Sequence, residues 1–321
     1  MGDRVIGKAD RRGASLSDLK GLSEPSPHRS LQYPITHHPS PHHPRRRRGK
    51  TVRNLVLVLG LAIFSVWTLF PFLWIISTSI KPDRDLYRRV SLLPKTITDA
   101  HYIEVLFETP FLTYFKNSAM VATVTTAIAM LIAVLAAYAM TRLSFRGRGF
   151  VARATIVTYL IPAALLFIPL FQIAQQLPFH GEALGLVVIY LIFAVPFSTW
   201  LAISYFNTIP SDLEDAALVD GATRLRSLFT IFVPLALPAL AVIALFTFTH
   251  AWNEFLFALL LIQRDSQKTV PIGLAEFVVG DVFAWGPLMA GSLIASLPPV
   301  LIYVAAQKWV VSGLGGGAIK G

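Results

Sequence analysis

The stretch 183–211, ALGLVVIYLIFAVPFSTWLAISYFNTIPS, contains no Asp, Glu, Lys or Arg. A helix needs about 20 apolar residues to cross a hydrocarbon layer about 30 Å thick, so this run holds one span. Five more runs free of those four residue types occur at 54–80, 117–141, 154–181, 227–253 and 282–307, each at least 25 residues long. Inside lipid no water satisfies the peptide groups, so continuous apolar segments fold as helices that bond to themselves. The sequence therefore predicts an all-α integral membrane protein with six transmembrane helices. Burying the same runs in a soluble core would need six helices without a charged face. The composition opposes that, with 54% hydrophobic and 14% charged residues and a mean hydropathy of +0.60, where soluble domains carry about 25% charged residues.

The charge is bunched. Residues 1–50 hold eleven Lys/Arg against four Asp/Glu, which accounts for +7 of the formal net charge of +10. The balance thus belongs to one end of the chain, and it carries no argument for a nucleic-acid partner. This stretch is rich in Pro, His, Ser and Arg and cannot bury enough apolar surface to offset its ordering entropy, so a disordered basic cytoplasmic tail is expected over 1–50, followed by a six-span domain over 51–321. His37, His38, His42 and His43 have no scaffold to converge them on a metal. Arg45 to Arg48 and Lys50 abut the first span, where basic residues anchor a helix against anionic membrane lipid. The first apolar run is span-length with no small-residue cleavage site beside it, so it reads as a retained span rather than a signal peptide. Cysteine is absent, which leaves no disulfide framework or thiolate metal site.

Six spans put both termini on one side. With the N-terminus inside, the inner segments 45–53, 141–153, 207–230 and 308–321 hold fourteen Lys/Arg, and the outer segments 81–116, 177–183 and 263–281 hold eight. The excess favours both ends cytoplasmic. Proline recurs within the spans at Pro162, Pro169, Pro196, Pro298 and Pro299, and each removes a backbone donor and can kink its helix.

Between the fourth and fifth spans lies Ile209-Pro210-Ser211-Asp212-Leu213-Glu214-Asp215-Ala216-Ala217-Leu218-Val219-Asp220-Gly221-Ala222-Thr223-Arg224. Ser211 followed three residues later by Glu214 fits a capping box, which predicts the start of a short helix. Gly221 supplies a turn, Thr223 is placed to cap a second short helix, and Pro234 marks the beginning of the fifth span. An amphipathic connector lying at the interface would show the same local pattern.

The spacing carries more. Asp215-Ala216-Ala217, three residues, Gly221, nine residues, Ile231, one residue, Val233-Pro234 resembles the EAA loop of ABC importer permeases, whose pattern is Glu-Ala-Ala, Gly, Ile and Leu-Pro at the same intervals. Asp215 stands in place of Glu and Val233 in place of Leu, while Glu214 keeps a second carboxylate adjacent. Ser79-Ile80-Lys81-Pro82, Asn117-Ser118, Ala136-Ala137-Tyr138-Ala139 with Arg142 and Phe145-Arg146-Gly147, Trp252-Asn253-Glu254-Phe255 and Gln307-Lys308-Trp309 are similar to the sugar-importing, maltose-type (MalG-like) branch. The resemblance covers residues 52–321.

The resemblance implies the type I permease fold in a bacterial inner membrane. It also implies a homologous second permease subunit, two ATPase subunits, and an extracytoplasmic solute-binding protein that delivers a sugar or related polyol. Glu214, Asp215, Ala216, Ala217, Asp220, Gly221, Ile231 and Pro234 would then form the coupling element, Ala216 and Ala217 allowing close approach and Gly221 letting the backbone bend away. No nucleotide site is expected in this chain. Gly49-Lys50-Thr51 has Pro44 where a P-loop needs glycine, and ATP with its magnesium belongs to the partner.

Polar side chains within the spans are candidate pathway residues, because burying them in lipid is costly. His250, Asn253 and Glu254 are expected at the outer end of the fifth span, His250 and Glu254 four apart on one helix face. An interhelical hydrogen-bond cluster fits them equally. Gln172, Gln175 and Gln176 near the outer end of the third span can bond sugar hydroxyls, and Phe171, Tyr190 and Trp252 can stack on a pyranose. A glycerol-phosphate permease and an ion-coupled carrier are the alternatives. A carrier should show an internal repeat and midplane carboxylates, and Glu254 alone qualifies. An intramembrane enzyme needs a convergent acid–base or metal constellation, which the sequence does not offer.

Overall fold

The computed structural model describes residues 47–87, 91–279 and 282–317. The expected tail, with its four candidate histidines, falls outside these residues except for Arg47–Lys50, which are helical. The chain separates into two units, Met1–Val58 and Leu59–Gly321. The described part of the first is helical throughout, and the second contains the candidate coupling and pathway residues.

Thirteen α-helices run in the order α1 (Arg47–Ser79), α2 (Asp83–Leu86), α3 (Ala100–Ile103), α4 (Phe111–Arg142), α5 (Arg148–Leu160), α6 (Phe167–Ala174), α7 (Ala183–Phe206), α8 (Asp212–Val219), α9 (Arg224–Ser227), α10 (Val233–Asn253), α11 (Leu256–Leu261), α12 (Val270–Ala275) and α13 (Trp285–Gly317) among the described residues. A two-stranded antiparallel hairpin, β1 (Val278–Val279) and β2 (Val282–Phe283), precedes the last helix. Five helical stretches are long and apolar enough to span a membrane: Arg53–Ser79, Phe111–Arg142, Ala183–Phe206, Arg224–Asn253 and Trp285–Trp309.

The sixth expected span, 154–181, is broken. Helix α5 and the segment Ala163–Ala174 meet at 91°. Pro162 has no amide hydrogen to continue the ladder and steers the residue before it out of the helical region, and Ile161 is extended at φ −69°, ψ 121°. Pro169 sits in the first turn of α6, where a missing donor costs nothing. Pro196, Pro298 and Pro299 lie inside continuous helices.

The centre of the bundle is α4 packed against α7 and α10, with α13 on α10. Ala122, Ala129, Ala133 and Ala137 are fully buried along α4, and these small side chains let the helix axes approach. Two clusters fill the interior. One gathers Phe111, Tyr114, Leu186, Trp252 and Phe257, and the other Tyr138, Phe206, Leu228 and Phe232. The apolar face of α1 is open, Trp67 being 80% exposed.

Candidate coupling and pathway sites

The segment after α7 folds as an elbow. Helix α8 ends in a paired cap, with the Gly221 amide donating to Leu218 O (3.1 Å) and the Ala222 amide to Ala217 O (2.9 Å). Closing both bonds requires a left-handed residue, and Gly221 has φ 84°. Thr223 then accepts from the Arg226 amide at 3.2 Å and starts α9 as expected. The second helix does not stop before Pro234. It passes through a π-helical segment, Leu228–Phe232, directly into α10, so Arg224–Asn253 is one span-length stretch. Pro234 occupies the first turn of α10, and the wide turn before it accommodates the missing donor.

The capping box is not formed. Ser211 makes no cap bond, and Glu214 points inward at 4% exposure. Its Oε1 accepts from Tyr138 Oη at 2.5 Å and from Arg224 Nη1 at 3.3 Å, and its Oε2 lies 3.9 Å from Arg142 Nε. Arg142 in turn donates to the carbonyls of Phe206 and Ile209 and stacks 4.7 Å over the Phe232 ring. Glu214 therefore does not offer a second carboxylate on the open face. That face consists of Leu213, Asp215, Ala216, Val219 and Asp220, with Val219 88% exposed, and Ala217 and Ile231 are half-buried.

At the opposite end of α4, the Asn117-Ser118 pair acts as a clamp. Asn117 Nδ2 donates to the carbonyls of Ser266 (3.0 Å) and Lys268 (2.9 Å), and Ser118 Oγ accepts from the Val270 amide (2.8 Å). Beside it Tyr114 Oη donates to Asp265 (2.8 Å) and Glu276 (3.3 Å), and Lys268 donates to both carboxylates. The Lys268 hydrogen bond holds the Asp265 carboxyl below its ordinary pKa, and the same bond raises that of Lys268. The Ser79–Pro82 motif is also a clamp. Ser79 meets Tyr102 Oη at 2.8 Å, Lys81 is 3% exposed with its ammonium on the Ser91 carbonyl, and its own carbonyl bonds His101 Nε2 at 2.7 Å. Burial lowers the Lys81 pKa, with Asp85 opposing.

The pathway candidates do not form one site. Helix α10 ends at Asn253, and Glu254 sits in the break before α11 at φ −68°, ψ 124°. Its carboxylate accepts from Tyr190 Oη (2.7 Å) and from the amides of Phe257 (2.9 Å) and Ala258 (3.1 Å). It is a helix cap rather than a partner of His250 on a shared face. His250 and Asn253 are exposed, and Asn253 bonds back to Thr249 O. Trp252 is committed to packing, donating to Ala295 O at 3.1 Å and stacking on Phe248. Gln172 and Gln176 are exposed. Gln175 lines a cleft of about 160 Å³ with Phe171, His180, Gln263 and Arg264, a small polar hollow the spacing of these residues gave no sign of. Among the described residues no cluster of His, Asp and Glu is placed to hold a metal.

A bundle of long apolar helices is that of a multi-span membrane protein, and comparison with known proteins gives its class. Residues 129–315 match the family described as binding-protein-dependent transport system inner membrane component, and the chain belongs to it. It is 36% identical over 278 residues to the trehalose/maltose transport system permease protein MalG of Thermococcus litoralis, covering 85% of this chain and 99% of that one. It is 34% identical over 275 residues to the inner membrane ABC transporter permease protein YcjP of Escherichia coli, covering 85% and 98%. Its fold matches a chain in the crystal structure of a bacterial ABC transporter involved in the import of the acidic polysaccharide alginate, with a TM-score of 0.70 and 25% identity over 84% of this chain and 99% of that one. The protein is thus a multi-pass inner-membrane permease of the ABC importer class.

Proposed function

We propose that this permease moves a sugar or related polyol into the cell, driven by ATP and magnesium held on two separate ATPase subunits, one of which docks on α8. The carrying observation is the elbow, a short helix ended by Gly221 and presenting Asp215, Ala216, Val219 and Asp220 to the outside. An 88% exposed valine beside two carboxylates suits a shallow groove on a protein partner. Sugar as cargo is supported by the Thermococcus litoralis relative, named for trehalose and maltose, and by the alginate importer of like fold. No observation favours glycerol phosphate or ion coupling. The excess of Lys/Arg in the segments on the α8 side supports both termini, and α8, in the cytoplasm. A second permease subunit would complete the path, and an extracytoplasmic binding protein would supply it.

For ATP to drive import, the nucleotide-bound ATPase pair must bind one permease conformation better than the other. Purification in mild detergent tests the assembly, which should yield an ATPase and a second permease. Uptake of labelled disaccharide with competing sugars then tests the cargo. A preparation active in uptake without any ATPase would overturn the reading.

A further inference from the structure

The elbow has few ways to pass motion to the bundle. Helix α8 packs mainly against α9, and none of its apolar residues belongs to the neighbouring core cluster of Tyr138, Phe206, Leu228 and Phe232. Among the described residues, the side-chain hydrogen bonds and ion pairs that tie α8 to other elements come from Glu214. That carboxylate meets α4 through Tyr138 and Arg142 and meets α9 through Arg224. Arg142 extends the connection to the end of α7 through the Phe206 and Ile209 carbonyls, and to the start of the fifth span through the Phe232 ring. The buried carboxylate thus joins α8 directly to α4 and α9, and through Arg142 to the end of α7 and to Phe232.

One contact in the network is an ion pair without a hydrogen bond. Arg142 Nε is buried and has no hydrogen-bond partner, although Glu214 Oε2 stands 3.9 Å away. A charge-assisted N–H···O bond forms at about 2.7–2.9 Å, so a shift of about 1 Å closes it. Two discrete arrangements, open and closed, are what a connection needs in order to transmit a displacement instead of absorbing it.

Building on the docking reading above, we infer that Glu214 is a strut that carries movement of α8 into α4 by closing on Arg142, and that it does not touch the ATPase. It is a positioning residue, distinct in role from the open-face residues Asp215 and Val219.

The test uses the whole complex in proteoliposomes and reads sugar moved per ATP hydrolysed, together with ATPase retention on purification. Glu214→Gln keeps the shape and removes the charge. It should retain the ATPase and hydrolyse ATP while the transport ratio falls at least about fivefold, the lower end of coupling effects. Tyr138→Phe should lower the ratio less, and Val219→Asp should lose the ATPase altogether. A merely structural role for Glu214 would reduce the amount of complex and leave the ratio in the surviving complex unchanged, which overturns the strut. Loss of the ATPase from inserted Glu214→Gln also overturns it, by making Glu214 a docking residue. If Glu214→Gln does not accumulate, Tyr138→Phe is judged by the same ratio, and an unchanged value counts against the proposal. A wild-type preparation without an ATPase defeats the docking reading, and the strut falls with it.

Discussion

Glu214 and Glu254 each accept from a tyrosine hydroxyl on another helix, at 2.5 Å from Tyr138 and 2.7 Å from Tyr190. Their other partners differ in kind. Glu254 is completed by two backbone amides at the start of α11, a helix N-terminus whose dipole favours negative charge. Glu214 is completed by two arginines from separate elements. A cap holds one helix end in place, whereas an ionic junction ties together elements that can shift past one another. The same residue type thus serves as a fixed stop near one end of α10 and as a joint near the other.

Truncation should separate the two most sharply. Glu214→Ala leaves Arg142 facing a hole, and breaking a buried ion pair typically costs about 3–5 kcal/mol. Melting in detergent should therefore fall strongly, with no assembled complex, and a midpoint near wild type would deny that the junction is ionic. Next in size is Gly221→Val. A β-branched residue at φ 84° is strained by about 1–2 kcal/mol, enough to open the end of α8. Uptake should be lost while insertion into the membrane persists, and uptake at the wild-type rate would remove the bend from the account. Glu254→Gln should be milder, about 1 kcal/mol as for a lost cap, with uptake per ATP unchanged. A lowered ratio would mean that Glu254 belongs to the path after all.

The smallest effect is expected at the clamp of Asp265 and Lys268. Asp265 is held below its ordinary pKa, so its contribution is present above the ordinary carboxylate range and disappears as pH falls through its lowered value. Lys268 is held above its ordinary pKa, so its contribution is present below the ordinary lysine range and disappears as pH rises through its raised value. Between about pH 4 and 10 the clamp should be insensitive to pH. Lys268→Met should flatten both shoulders of a melting-versus-pH curve, and shoulders unchanged in that variant would place their origin elsewhere.

Much of this could be read from residue order. Charge-free runs located the spans because lipid imposes a length and an apolarity that no partner can alter. Gly221 and Thr223 were legible because turn and cap chemistry are local. The break at Ile161–Pro162 was half legible, since Pro162 announces a disturbance and only packing decides between a mild kink and a 91° turn. Glu214 was misleading, because Ser211-x-x-Glu214 satisfies a local capping rule while the partner that wins, Tyr138, lies 76 residues away. Glu254 misled for a related reason. Its spacing from His250 implies a shared face only if the helix continues, and it ends at Asn253. The cleft around Gln175 needed three segments brought together and had no sequence signal of its own.

The most direct test is accumulation of the labelled sugar selected by the competition assay, in proteoliposomes containing the purified complex, with ATP or with a non-hydrolysable analogue inside. Concentrative uptake with ATP alone, abolished by Val219→Asp, is the predicted result. Equal accumulation with the analogue, or undiminished uptake by Val219→Asp, would contradict the account.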